Sequence, residues 1–270
     1  ALLAIAQPTA LLVTNQLCLK FMPEQHNALA GLPWWAMFGV LLLADDLTQY
    51  LWHRASHSPM LWPLHRAHHT AQYMSIRITY RNNFFYYLLM PGLWIGGVLI
   101  FLGFGKVYGL YIVLKLVVIL GAHCAWRWDE PLYRVKALRP LMWVVERTIS
   151  TPATHWAHHA LTNADGVGHY KGNFGNLLFF WDVLFGTAHI TRRYPAEVGL
   201  IDDKLFKRHI SVSLSQLQDY ELDYETVMSE LVYVCVVKGV DFREFLFPNA
   251  VQVKCFLEAI FGRLIGLFNV

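Results

Sequence analysis

The residues in this sequence that are best suited to chemistry are histidines at helical spacing. An HxxxH pair occupies residues 53–57 (HRASH), and the pattern HxxHH occurs twice, at residues 65–69 (HRAHH) and 155–159 (HWAHH). Residues three or four apart lie on one face of a helix, so each run can direct its imidazoles toward one point. The histidines of these runs are His53, His57, His65, His68, His69, His155, His158 and His159.

Metal binding is the chemistry that this pattern indicates. Neutral imidazole is a good ligand for iron, zinc, copper and nickel. The eight histidines exceed what a single tetrahedral site can use, so a pair of metal ions is the simpler prediction. A lone histidine is more often an ordinary surface or core residue, but chance is a poor explanation of three runs at helical spacing.

The composition is that of a membrane protein. Hydrophobic residues make up 56% of the chain and charged residues only 15%, whereas a soluble domain has about 25% charged residues. The 10 Trp, 13 Tyr and 17 Phe residues suit the aromatic belts at membrane interfaces. The net charge of +3 is small, and no Lys/Arg run indicates a nucleic-acid partner. We therefore expect this chain to lie in a membrane and to bind no nucleic acid.

Four apolar stretches, residues 1–19, 32–52, 84–104 and 107–125, are each long enough to cross a bilayer. The segment between the second and third, residues 53–83, contains four Arg and no acidic residue, which predicts a cytoplasmic location. Four crossings then put both histidine-rich segments, and both termini, on that side.

The predicted fold class is therefore all-α and integral to the membrane. It has about four transmembrane helices and a cytoplasmic helical cap that holds a histidine-rich di-metal site. Residues 1–204 form this membrane domain, and residues 205–270 form a C-terminal helical segment of unknown role. The expected localisation is a multi-pass protein of the bacterial inner membrane or the endoplasmic reticulum, with the active site on the cytoplasmic side.

Further side chains lie in register with the histidines. His123 lies near the end of the fourth apolar stretch, on the same predicted side, and is a ninth candidate ligand. Asp46 and Tyr50 share a helical face with His53, so we expect them to orient ligating imidazoles. For Asp46, hydration of a helix near the membrane interface is the alternative.

A second aromatic segment follows the last histidine run. It reads NFGNLLFFWDVLFGT over residues 173–187. Asp182 is a third residue that could hold a ligating imidazole. Trp181 and Phe185 either line a lipid channel or pack in the core.

HRASH, HRAHH and HWAHH, followed by NFGNLLFFWDVLFGT, together resemble the fatty acid hydroxylase/sterol desaturase superfamily of integral membrane di-iron enzymes. The resemblance covers roughly residues 40–195. It implies that the eight histidines of these runs are catalytic metal ligands and that His123 is an additional one. Some members have a further His one turn before His123, where this chain has Ile119. We expect a metal-bound water or His169 to complete that ligand set.

The resemblance also implies the activity, which is that of an O2-dependent lipid hydroxylase, a monooxygenase. The substrate would be a fatty acyl chain, a sterol or a related lipid, and a lipid desaturase with the same site is the alternative. The implied cofactors are two iron ions (Fe2+/Fe3+), with O2 as co-substrate; zinc can substitute in purified protein. The reaction needs two electrons, and the sequence contains no dinucleotide-binding or haem motif in the required context. We therefore expect a separate electron-transfer partner, a ferredoxin or a b-type cytochrome with its reductase.

Other metal proteins fit the sequence less well. A zinc hydrolase with HExxH and a carboxylate di-iron bundle with Glu-x-x-His pairs both lack their motifs here. A metal transporter would place its ligands near the bilayer midplane, whereas these histidines lie beyond the apolar stretches. A non-catalytic metal-binding or metal-transport protein is the remote alternative.

Overall fold

The computed structural model of this chain describes residues 2–201, and this part is built from helices. An isolated bridge between Ala160 and Val198 is its one piece of β pairing. The domain boundary predicted at residue 204 and the predicted C-terminal helical segment lie outside the described residues. In chain order the α-helices are α1 (Leu2–Phe21), α2 (Trp34–Leu41), α3 (Leu47–Ser56), α4 (Trp62–His69), α5 (Phe84–Leu88), α6 (Pro91–Leu99), α7 (Gly105–His123), α8 (Asp129–Arg134), α9 (Arg139–Thr148), α10 (Pro152–His158) and α11 (Phe180–Leu184).

The apolar stretches of the sequence form the longer helical segments. Within residues 2–201, one helical stretch, Phe84–His123, has the length and hydropathy to cross a membrane. The all-α class is therefore confirmed for this part of the chain. Four crossings and a cytoplasmic cap stay predictions.

A turn at Gly103 separates the third and fourth apolar stretches. Its φ of 111° lies in the left-handed region that glycine adopts without steric cost. The backbone N–H groups of Asn27 and Leu29 donate to the Phe101 and Leu102 carbonyls at 3.0 and 2.9 Å. The loop after α1 therefore satisfies the carbonyl groups that the broken helix leaves free.

A π turn, Leu42–Asp46, connects α2 to α3 and carries two buried aspartates. Buried charges near apolar helices are costly unless they are paired. Asp45 Oδ2 forms an ion pair with Lys115 Nζ of α7 at 2.5 Å and accepts a hydrogen bond from Tyr111 Oη at 2.6 Å. These contacts connect the start of α3 to the middle of α7.

Helix α1 packs closely on α6 because glycine lies at the contact. A Cβ added at Gly97 would lie 2.6 Å from Cβ of Thr14, which is closer than packed carbon atoms can approach. Small residues at such contacts let helix backbones approach each other in membrane proteins.

We predict that Gly97→Ala destabilises the protein by about 1–3 kcal/mol, because the extra methyl group forces α1 and α6 apart. Gly39→Ala in α2 is the matched control, since a Cβ there meets no atom within 4 Å. Thermal unfolding in mild detergent measures both variants. Equal melting temperatures for the two variants would contradict the close packing of α1 on α6.

Candidate metal centre

Four helix ends bring the predicted histidines together. His53 lies in the last turn of α3, and His57 directly follows that helix. Helix α4 carries the first HxxHH run, and α7 ends at His123. Helix α10 and the residue after it carry the second HxxHH run, and a capping box between Thr151 and Thr154 fixes the start of this helix.

The nine histidines form two neighbouring clusters, within each of which the candidate ligand atoms lie within 4.8 Å of one another. Eight of the nine are buried, and His57 is half-buried. The five-histidine cluster contains His53, His57, His65, His69 and His158. The four-histidine cluster contains His68, His123, His155 and His159.

The two HxxHH runs divide between the clusters in a reciprocal way. In the first run His65 and His69 join the five-histidine cluster and His68 joins the other. In the second run the i, i+4 pair joins the four-histidine cluster, and His158 crosses to the five-histidine cluster. Successive helical residues are rotated by about 100°, so i and i+4 point nearly the same way and i+3 points aside. Each run can thus serve two metal ions.

Carbonyl groups fix the orientation of four imidazoles. A carbonyl oxygen only accepts, so each Nδ1 next to one must carry the proton. His53 Nδ1–H donates to the Phe174 carbonyl at 2.7 Å, and His158 Nδ1–H donates to the Gly172 carbonyl at 2.7 Å. Two further bonds of this kind, each 2.8 Å long, join His68 to Ile78 and His123 to Ile119.

This tautomer leaves unprotonated Nε2 atoms facing each other. His53 Nε2 and His158 Nε2 are 3.0 Å apart, and the Nε2 atoms of His68 and His123 are 3.3 Å apart. Two lone pairs at such distances repel each other unless a cation lies near both. Two nitrogens bound at about 2.1 Å to one metal ion, at right angles, would lie about 3 Å apart. The donor set therefore fits a metal ion in each cluster.

Protonation of the imidazoles does not readily take the place of a bound metal ion. Burial disfavours the charged imidazolium, so it lowers the pKa of seven of the clustered histidines well below its ordinary value, and neighbouring imidazoles lower it further. Neutral imidazoles keep a lone pair available for a metal ion near pH 7. The histidines affected in this way are His57, His65, His68, His69, His155, His158 and His159.

His169 belongs to neither cluster. Its backbone N–H donates to the Ala157 carbonyl at 2.7 Å, and its ring lies against His189, with the ring centroids 5.1 Å apart. The expectation that His169 completes the ligand set therefore has no support in this geometry. Ile119, at the position of the missing histidine, contributes its carbonyl group to hold His123.

Asp182 bonds to backbone N–H groups of the loop that holds His53 and not to an imidazole. Its Oδ1 accepts from the Phe174 N–H at 2.9 Å and its Oδ2 from the Gly175 N–H at 2.6 Å. Thr187 Oγ1 also donates to Asp182, at 2.6 Å, and Tyr50 Oη donates in turn to Thr187 Oγ1 at 2.9 Å. This network fixes the loop whose Phe174 carbonyl holds His53.

Asp46 contacts the same region but no imidazole. Its Oδ2 accepts from the Leu178 N–H at 3.1 Å and from Trp181 Nε1 at 2.9 Å. Asp46 shares the α-helical register of Tyr50 and His53, but its hydrogen-bond partners belong to the segment around Trp181.

Trp181 packs in a buried cluster with Tyr50 and Phe174, so the core-packing interpretation describes Trp181. Phe185 stacks on Tyr50, with the ring centroids 5.4 Å apart, but it is 45% exposed and does not belong to the core.

A cavity of about 120 Å³ adjoins both clusters. His53 and His65 of one cluster, and His68 and His123 of the other, form part of its wall. From there the cavity extends between α3, α6 and α7. Its wall is mostly apolar in area and includes Ile112, Leu116 and Leu93.

Sequence reasoning missed several residues of the site. Asn82 Oδ1 accepts from His65 Nδ1 at 2.8 Å, and no pattern around residue 82 indicated this. The carbonyl groups of Ile78 and Gly172 act through the backbone, which residue types do not reveal. Lys115 did carry a signal, since it is a lone charge inside an apolar stretch.

We predict that Asp182→Asn lowers metal affinity by about 10–100-fold, because an amide replaces one acceptor oxygen and loosens the loop that holds His53. Competition with a chelator measures the affinity. Asp165→Asn is the control, since this exposed aspartate accepts from the Val167 and Gly168 N–H groups, outside both clusters. Unchanged affinity in Asp182→Asn would contradict a positioning role.

Comparison with known proteins agrees with this geometry. The profile of the family described as fatty acid hydroxylase matches residues 38–187, which include every histidine of the two clusters. No solved structure matches the chain. Because the match spans more than half of the 270 residues, this chain belongs to the fatty acid hydroxylase family.

Proposed function

We propose that this protein is an O2-dependent lipid hydroxylase that uses two iron ions. The observation that carries the proposal is the presence of two clusters of neutral imidazoles beside one apolar-walled cavity. In the net reaction R–H, O2, two electrons and two protons give R–OH and H2O. Iron, when bound, supplies the activation of O2 toward an unactivated C–H bond.

The imidazoles and their backbone partners form a preorganised ligand set. Nδ1–H groups that are already bonded to carbonyl oxygens keep Nε2 free of protons. The four rings held by carbonyl groups therefore need neither deprotonation nor rotation when a metal ion binds. Hydrogen bonds of this kind fix ring orientation and raise metal affinity.

The cavity is where the lipid binds. Met90, Leu93, Ile112 and Leu116 provide apolar wall next to the histidines. Such a wall holds a hydrocarbon chain and excludes water from the reacting carbon. The carbon of the bound lipid that lies next to the histidines of the cavity wall is then the one that is oxidised.

The proposal also includes an external source of electrons and an arrangement of the protein in the membrane. A ferredoxin, or a b-type cytochrome with its reductase, supplies the two electrons from outside this chain. The family is membrane-associated, and Phe84–His123 is a helical stretch that can span a bilayer. We propose a multi-pass arrangement with the histidines on the cytoplasmic side, as the arginines of residues 53–83 favour.

Metal analysis tests the ligand set. We predict about two irons per chain after iron-supplemented expression, and loss of bound iron in His158→Ala, because that ring faces His53 inside the five-histidine cluster. His26→Ala, an exposed histidine outside both clusters, should keep the full iron content. Full iron and activity in His158→Ala would contradict the ligand assignment.

Lipid analysis tests the reaction. Membrane lipids from cells that produce the protein should contain a species with one added oxygen, absent from cells that produce His158→Ala. A species that has lost two hydrogens instead would identify a desaturase with the same site. Iron-loaded protein that changes no lipid in the presence of reductant and redox partner would favour a non-catalytic metal-binding protein.

A further inference from the structure

A buried ion pair lines the same cavity as the histidines. Lys115 and Asp45 have side chains that are only 12% and 5% exposed, and their charged atoms are 2.5 Å apart. Neither belongs to a histidine cluster. Replacing such a pair by apolar residues often costs no stability, so stability alone is a weak reason for its presence. Ionisable groups within apolar membrane helices more often mark a site of function.

The ion pair and the histidines lie on the same helical faces. On α7, Lys115, Ile119 and His123 follow at intervals of four residues and all line the cavity. On the other wall, Asp45 and His53 are likewise eight residues apart, and both line the cavity. At about 1.5 Å of rise per residue, Lys115 lies about 12 Å from His123 along α7. The ion pair thus lies at one end of the cavity and the histidines lie at the other.

The ammonium group of Lys115 has unused hydrogen-bonding capacity. It carries three N–H donors, and Asp45 is its one hydrogen-bond acceptor among the residues that the structure describes. The ammonium group also lies over the ring of Tyr111, with Nζ 5.6 Å from the ring centroid. A ligand in the cavity can therefore accept a hydrogen bond from Lys115 without displacing Asp45.

The charges around Lys115 indicate which chemical group of a ligand can bind there. Asp45 compensates Lys115 directly, and Asp46 is buried in the same π turn. No positive charge is left over for a carboxylate or phosphate, and a third buried anion would be costly. A neutral hydroxyl group suits the pair, because it accepts from the ammonium and donates to the carboxylate.

We propose that Lys115 and Asp45 recognise a hydroxyl group on the lipid substrate, about 12 Å from the carbon that reacts. The assignment rests on the proposed function for the identity of the ligand as substrate. The substrate class is then a lipid alcohol rather than a free fatty acid. The length between the two ends of the cavity determines which carbon reaches the histidines.

Direct binding tests this proposal without turnover. Iron-loaded full-length protein in phospholipid nanodiscs is titrated with radiolabelled dodecan-1-ol, dodecanoate and dodecane, and binding to empty nanodiscs is subtracted. We expect dodecan-1-ol to bind more tightly than the other two probes. Lys115→Met should weaken binding of dodecan-1-ol roughly tenfold or more, as loss of a hydrogen bond to a charged group implies, and should leave dodecane binding unchanged.

Two further variants make the result decisive. Lys115→Met leaves Asp45 buried without its counter-ion, so the double variant Lys115→Met/Asp45→Asn removes both charges and avoids that cost. It should retain the iron content and lose the preference for the alcohol. Lys106→Met, which removes an exposed lysine from the same helix, should bind all three probes like the unaltered protein.

Two results would overturn the proposal. One is binding of dodecan-1-ol to the double variant with unaltered affinity, and the other is tighter binding of dodecanoate than of dodecan-1-ol. Failure of the proposed function looks different. Protein that prefers the alcohol through Lys115 but oxidises no lipid would support the recognition site and contradict the hydroxylase reaction.

Discussion

The structure depends on one electrostatic constraint, which is that nine imidazoles share a small buried space as neutral groups. Their lone pairs face one another at about 3 Å, as between His53 and His158, and that contact is unfavourable without a cation. Burial makes protonation a poor remedy, because it lowers the pKa of histidines such as His158. Metal ions relieve the repulsion, so metal binding and stability of this region should be closely coupled.

A loop and two helices hold these imidazoles in place. From the backbone side, carbonyl groups of the loop at Gly172 and Phe174 fix the tautomers of two rings, and Asp182 fixes that loop. From the helix side, α3 and α7 carry His53 and His123, and the Asp45–Lys115 pair connects the π turn before α3 to the middle of α7. The same two helices thereby shape both the metal centre and the cavity beside it.

The sequence predicted the identity of the clustered histidines well, because helical periodicity is local information. The spacing in HxxHH was enough to single out His65, His68 and His69, all of which lie in the centre. Their division between two clusters was not predictable, because it depends on where α7 places His123. Asp46 was expected to orient an imidazole, but it accepts from Trp181 Nε1 instead, and local spacing does not reveal a partner so distant in the sequence. Hydrogen bonds from rings to backbone carbonyls lay beyond residue-type patterns altogether.

The central claim is that the two histidine clusters each hold one metal ion. Anomalous X-ray diffraction at the iron absorption edge, on crystals of iron-loaded protein, tests it most directly. We expect two anomalous peaks, one among the five histidines around His53 and one among the four around His123. A single peak, or peaks bound to side chains outside these clusters, would contradict it.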